Sequence, residues 1–139
     1  MTSAEEHRKN FDQCFKDINE KIRAGLLVER QKIVGFAASE ASTNLLEYFL
    51  HKKNLVPLGF KVNHHYFVSE KKARSYMDFN FPRKEALFSL MIKQDSFRNL
   101  LCYGKEKESA LIQEALENLN KIKKIIEEAK GGILFIDEA

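Results

Sequence analysis

Three segments of the chain place chemically capable side chains at short spacing. In "DSFRNLLCYGK", residues 95–105, Arg98 and Asn99 precede Tyr103 and Gly104 where a helix should end. Arg98 offers a planar fork of donors suited to phosphate. Asn99 offers both a donor and an acceptor. The ordinary alternative pairs Arg98 with Asp95, three residues back on the same helix face, and packs Tyr103 on the next helix. In "NHHYFVSEKKARSY", residues 63–76, His64 and His65 stand side by side in a loop. Behind them Lys71, Lys72 and Arg74 interleave with Tyr66 and Tyr76, a mixture able to contact phosphates and stack on bases. A solvated helix face gives the same run of residues. In "HKKN", residues 51–54, cations close a helix, and the macrodipole alone accounts for them.

Metal and cofactor chemistry is not expected. A zinc site at His64 and His65 needs further ligands at sensible spacing, whereas His7 and His51 belong to other helices and Cys14 and Cys102 are remote. No GxSxG, HExxH or paired-carboxylate pattern occurs. The tail "GGILFIDEA", residues 131–139, looks like a Walker B strand, but no GxxxxGK[ST] loop exists to hold phosphates. It reads as a C-terminal tail that packs on the fold.

The elements that must position these residues are helices. The first is expected over residues 4–26, with Ser3 and Glu6 as a capping box and Phe11, Phe15, Ile18, Ile22 and Leu26 as one apolar stripe. The second spans 29–53, with Val34, Ala38, Ala41, Leu45 and Tyr48 in register. Its stretch "GFAASEAS" lets another helix approach closely, at the centre of a bundle or in a dimer seam. Gly35 in mid-helix costs about 1 kcal/mol against Ala, so it needs a packing reason. Pro57 and Gly59 break the pattern. A short third helix is expected over 70–79 with Ser69 as N-cap, a fourth over 82–102 with Pro82 in its first turn, and a fifth over 107–130. The fifth carries Ile112, Ala115, Leu119, Ile122, Ile126 and Ala129 in one stripe and stops at Gly131-Gly132. Long helices with short connections predict an all-α fold, an up-and-down antiparallel bundle of four long helices plus one short helix.

A length of 139 residues fits one domain, with residues 131–139 as its tail. Six Gly and two Pro are too few for the turns of a β sandwich. Two separated cysteines make neither a zinc ribbon nor a disulfide framework. The net charge of +3 is compatible with nucleic acid without requiring it. No secretory h-region or membrane-length apolar run appears, so a cytoplasmic protein is expected. A homodimer is expected too, because the small residues of the second helix and the two-sided apolar content of the fourth (Leu87, Phe88, Leu90, Met91, Ile92, Phe97) exceed the needs of one stripe.

The order of a helix "GFAASEASTNLLEYFLHKKNLVPLGFKVNHHYF", a short basic helix, "RNLLCYG" and a long charged last helix resembles the HEPN superfamily of small helical domains, over about residues 30–130. The resemblance implies an up-and-down bundle that dimerises. In ribonuclease members an Arg and, after about four to six intervening residues, a His from each protomer meet at the dimer cleft, where Arg and its polar neighbour orient phosphate and His assists attack by the RNA 2′-hydroxyl. Arg98 and Asn99 match the phosphate-binding half. The position for His is Tyr103, and a phenol, with an ordinary pKa of about 10, does not cycle protons at pH 7 as an imidazole does. The expectation is therefore an RNA- or nucleotide-binding dimer without catalysis, working in a toxin–antitoxin or defence context, with a nucleotidyltransferase as possible protein partner. Arg98, Asn99, Lys71, Lys72, Arg74, His64 and His65 are its candidate ligand contacts, and Tyr103 joins Arg98 and Asn99 as a candidate at any catalytic centre. Two alternatives stand beside it: a non-catalytic protein-interaction module, and a metal-independent ribonuclease in which His64 or His65 replaces the missing His.

Overall fold

Helix α1, Ala4–Arg23, opens with Glu5 and Glu6 and closes with Lys21 and Arg23, each charge matched to its end of the macrodipole. It stops three residues before the expected point. Gly25 adopts φ +68°, its N–H bonds the Ile22 carbonyl, and the Leu26 N–H bonds the Lys21 carbonyl. That is a Schellman stop, and it leaves Ile22 46% exposed rather than in the stripe. The computed structural model describes residues 4–26, 28–103 and 105–130. The expected capping box at Ser3, the stop at Gly104, the Gly131-Gly132 pair and the tail lie outside the described residues.

Helix α2, Gln31–Lys52, is the axis of the bundle, packing against α1, on α4 and on α5. Its small residues Ala37, Ala38 and Ala41 are buried inside the protomer. Those alanines of the "GFAASEAS" stretch thus serve the centre of the bundle, while Phe36 in the same stretch is 50% exposed. Gly35 has its packing reason: a Cβ there would lie 2.7 Å from Leu101 Cβ on α4. A second Schellman stop ends α2, with Asn54 at φ 56° and the Leu55 N–H bonded to the Leu50 carbonyl.

A 3₁₀ turn, His64–Val68, follows, capped by the Asn63 side chain and anchored by buried Phe67. Helix α3, Glu70–Tyr76, begins as expected at Ser69, whose hydroxyl accepts the Lys72 N–H at 3.1 Å. It ends three residues early. Helix α4, Lys84–Cys102, starts after Arg83 in the left-handed region, and α5, Ser109–Lys130, buries Ile112, Ala115, Leu119, Ile122 and Ile126. The apolar residues that suggested a two-sided α4 are also used internally: Leu87, Phe88 and Met91 are buried, and Leu90, Ile92 and Phe97 pack partly against the core. The result is an all-helical bundle of four long helices and one short one, with no strand among the described residues. No helix among them is long and apolar enough to cross a membrane. A satellite core of Val34, Leu101, Ile112 and Ala115 holds the start of α2 against the end of α4 and the start of α5.

Candidate functional site

The end of α4 carries the first candidate. Arg98 is half-buried, Asn99 exposed, and Tyr103 62% exposed just past the last helical residue. The expected pair of Arg98 with Asp95 does not form. Asp95 is taken by His64 instead, and the Arg98 guanidinium lies over the Phe36 ring, 5.9 Å from its centroid. Among the described residues no carboxylate pairs with Arg98, and its buried Nε has no hydrogen-bond partner. Tyr103, which the ordinary alternative packs on α5, is largely exposed. Phe36 (50% exposed), Ile33 (49%) and Leu100 (42%) complete an apolar surround at the α2–α4 crossing. Below it the Cys102 thiol is pushed up by burial, with Arg98 and Lys32 opposing.

The basic segment is not part of that surface. Arg74 Nη2 is 2.8 Å from Glu70 and 2.5 Å from Glu85, and these carboxylates hold it in its charged form. Glu70 is in turn lowered by the hydrogen bond from Arg74. Glu85 stands thirteen residues before Arg98 on α4, about 20 Å along the axis, so Arg74 and Arg98 mark opposite ends of that helix. Lys71 is exposed, and Lys72 is half-buried with its backbone in the Ser69 cap. Tyr66 and Tyr76 are stacked face to face, centroids 3.9 Å apart at 9°, so each covers one face of the other while Tyr76 stays 47% exposed.

Of the two adjacent histidines only His64 reaches the bundle. Its Nδ1 sits 2.9 Å from Oδ1 of buried Asp95, while His65 is exposed. A carboxylate at Nδ1 holds the imidazole orientation and leaves Nε2 for chemistry. Asp95 is one helical turn from Arg98 on α4, so the loop is tied to the helix that carries the arginine.

A third group was hidden by sequence distance. Between α1, α2 and the chain at 61–66 lies a polar cleft of about 500 Å³ whose lining includes His7, Asn44, Glu47 and His64. His7 and Glu47 are each only 4% exposed. His7 Nδ1 is 2.9 Å from Asn44 Oδ1, and the Asn44 amide donates to the Glu40 carbonyl at 2.8 Å. Glu47 Oε1 accepts the Val62 N–H, and Oε2 faces His7 Nε2 as a charge pair without hydrogen-bond geometry. Burial pulls His7 toward the neutral form, but Glu47, Asn44 and Glu6 together outweigh it and raise its pKa above the ordinary imidazole value. His51, one turn beyond Glu47, stacks on His7 with centroids 5.5 Å apart. The sequence did hold a signal: the α1 stripe of Phe11, Phe15 and Ile18, extended back one turn, lands on His7.

No family model, curated protein or solved structure matches this chain. The chemistry of these groups is therefore what any functional reading rests on. Arg98 lies over Phe36, with Asn99 and Tyr103 exposed at the same end of α4. His64 with Asp95 makes an oriented imidazole. His7, Glu47 and His51 make a buried set of nitrogen and oxygen donors.

Proposed function

We propose that the chain is a HEPN-like domain, an up-and-down antiparallel bundle that binds RNA or nucleotides as a homodimer and does not cleave RNA. The observation that carries this reading is the Arg98 guanidinium, held over an exposed Phe36 ring with no carboxylate partner among the described residues. A guanidinium so placed can turn its fork to a phosphate while the ring it covers stacks on a base. Asn99 and Tyr103 supply polar neighbours. Exposed Ile33, Phe36, Leu100 and Tyr103 support the dimer, since they would leave water if two copies met at the α2–α4 crossing. Two arginines brought to such a cleft repel, and an anion between them relieves the repulsion. The toxin–antitoxin or defence setting and a nucleotidyltransferase partner belong to the same proposal by resemblance.

The test is fluorescence-anisotropy binding of a short single-stranded RNA across a salt series, with sedimentation to read mass. Wild type should bind with a salt-dependent affinity, and Arg98→Ala should weaken binding and flatten the slope of log K against log salt by about 1. Indifference to RNA with a stable protein partner would favour the interaction-module reading. One observation favours a second enzymatic reading: the His64–Asp95 pair, one turn from Arg98, is where the missing acid–base group would come from. RNA cleavage in EDTA that His64→Ala abolishes would establish that reading and overturn ours.

A further inference from the structure

We infer that His7, Glu47 and His51 form a binding site for one divalent transition-metal ion of the zinc type, which ties α1 to α2. One ligand atom from each residue lies within 4.8 Å of the others. His7 and Glu47 are almost fully enclosed, and His51 is half-buried at the edge of the group. His7 Nε2, Glu47 Oε2 and His51 Nε2 are all buried, and none has a hydrogen-bond partner among the described residues. Buried polar atoms are rarely left unsatisfied, and three converging ones ask for a shared partner. A proton shared between His7 and Glu47 would satisfy two of them. It leaves His51 unanswered, whereas a cation answers all three.

The outer contacts are those a metal ligand needs. The Asn44 amide is oriented by its donation to the Glu40 carbonyl, so it presents Oδ1 to His7. His7 must then donate from Nδ1, which leaves the Nε2 lone pair pointing at the site. The Val62 N–H fixes Glu47 Oε1 and turns Oε2 inward. The donor set selects the ion. Two imidazoles and one carboxylate suit zinc and its neighbours, whereas calcium and magnesium prefer all-oxygen shells. Ligand atoms around tetrahedral zinc sit about 3.3 Å apart, so the widest pair must close by no more than about 1.5 Å and the close His7–Glu47 pair must open by less than that, both within reach of side-chain rotation. Three protein ligands leave a fourth position for water. Since α1 has its packing contacts with α2, an ion held by His7 from one helix and by Glu47 and His51 from the other fastens the helix with fewest neighbours. The site shares no residue with the Arg98 surface, and the inference does not rest on the RNA-binding reading.

The test uses the full chain, stripped with EDTA and titrated with Zn²⁺ by calorimetry and with Co²⁺ by visible absorption. Wild type should take up one ion per chain, show the d–d bands of Co²⁺ bound by nitrogen and oxygen, and rise in Tm. His51→Ala leaves the His7–Glu47 pair in place, and with an unchanged circular dichroism spectrum it should lose at least about 100-fold in affinity. Asn44 is a positioning residue. Asn44→Ala should weaken binding by about 10–100-fold while keeping the Co²⁺ bands, and Asn44→Asp should restore it. No stoichiometric uptake by wild type, uptake unchanged in folded His51→Ala, or a thiolate charge-transfer band showing Cys14 or Cys102 as ligands would each overturn the inference.

Discussion

Gly35→Ala inverts the usual rule for helices. In an exposed helix interior the change adds about 1 kcal/mol of stability through propensity. Here the new methyl would lie 2.7 Å from Leu101 Cβ, 3.4 Å from Leu101 Cδ1 and 3.6 Å from the Cys102 sulfur. Carbon atoms settle at about 3.5–4.0 Å, so α2 and α4 must part by close to 1 Å at their crossing. Leu101 cannot yield by rotation, because the clash is at its Cβ and it is fully buried against Val34, Ile112 and Ala115. Overpacking of this kind costs roughly 1–3 kcal/mol, and at the upper end of that range the net loss after the propensity gain is about 1–2 kcal/mol. For a chain of 139 residues the unfolding entropy is about 290 cal/mol/K, so Tm should fall by about 3–7 °C. Scanning calorimetry or a thermal circular dichroism melt reads this directly. The same parting shifts Arg98 against Phe36, so RNA affinity should fall with stability. A Tm that rises by the few degrees of the propensity gain would show that the helices do not meet at Gly35.

Gly25→Ala should also destabilise, by about 1 kcal/mol, but from strain at φ +68° alone, since nothing lies within 4 Å of the added methyl; a urea midpoint reads it. Phe36→Ala should weaken RNA binding by about 1 kcal/mol or more through lost stacking, without changing the salt slope, and anisotropy separates the two. Cys14, pushed up to about 11 by burial with Glu40 and Asp17 adding to it, should hold about 100-fold less thiolate at pH 8 than a cysteine at the ordinary value of 9.0. Its labelling by a thiol reagent at pH 8 should be correspondingly slow, and fast labelling would refute its burial. Tyr103→His should create weak RNA cleavage in EDTA, removed by adding Arg98→Ala; a silent double series would refute the motif-based reading of position 103.

The helices were legible because their stripes are regular. Ile112, Ala115, Leu119, Ile122 and Ile126 repeat at steps of three and four, and every one is buried. Helix ends were less legible, because the stops at Gly25 and Asn54 depend on left-handed residues that a run of apolar spacing passes over. Ser69 was visible as a cap because its hydroxyl acts locally. The stack of Tyr66 on Tyr76 was not legible for the opposite reason: ten positions apart, they meet because the 3₁₀ turn packs on α3. Asp95 likewise looked like the partner of Arg98, three residues on, until His64 arrived from thirty-one positions away. Where an interaction is local the sequence states it. Where two elements cross, side chains with several possible partners choose by geometry that spacing does not encode.

Helix α2 carries both polar centres, one at each end. Phe36, under Arg98, and His51, beside Glu47, lie fifteen positions apart, about 22 Å along the axis. That separation leaves the two centres without direct contact, although salt screens the enclosed charges of His7 and Glu47 only in part. The two centres also rest on different packing. Arg98 stands on the satellite core of Val34, Leu101, Ile112 and Ala115, while His7 belongs to α1 and to the core around Phe11 and Leu45. Coupling between them would have to pass along α2, which is buried along most of its length and has little room to move, or through His64, which lines the His7 cleft and bonds Asp95 on α4. Saturating Zn²⁺ should therefore leave RNA affinity within about twofold of its value in EDTA, and Arg98→Ala should leave Zn²⁺ affinity unchanged, since sites more than about 10 Å apart with no shared partners act additively. A change of tenfold or more in either direction would mean that α2 shifts as a unit when the metal binds, and that α1 is a regulator of the Arg98 surface rather than an independent layer.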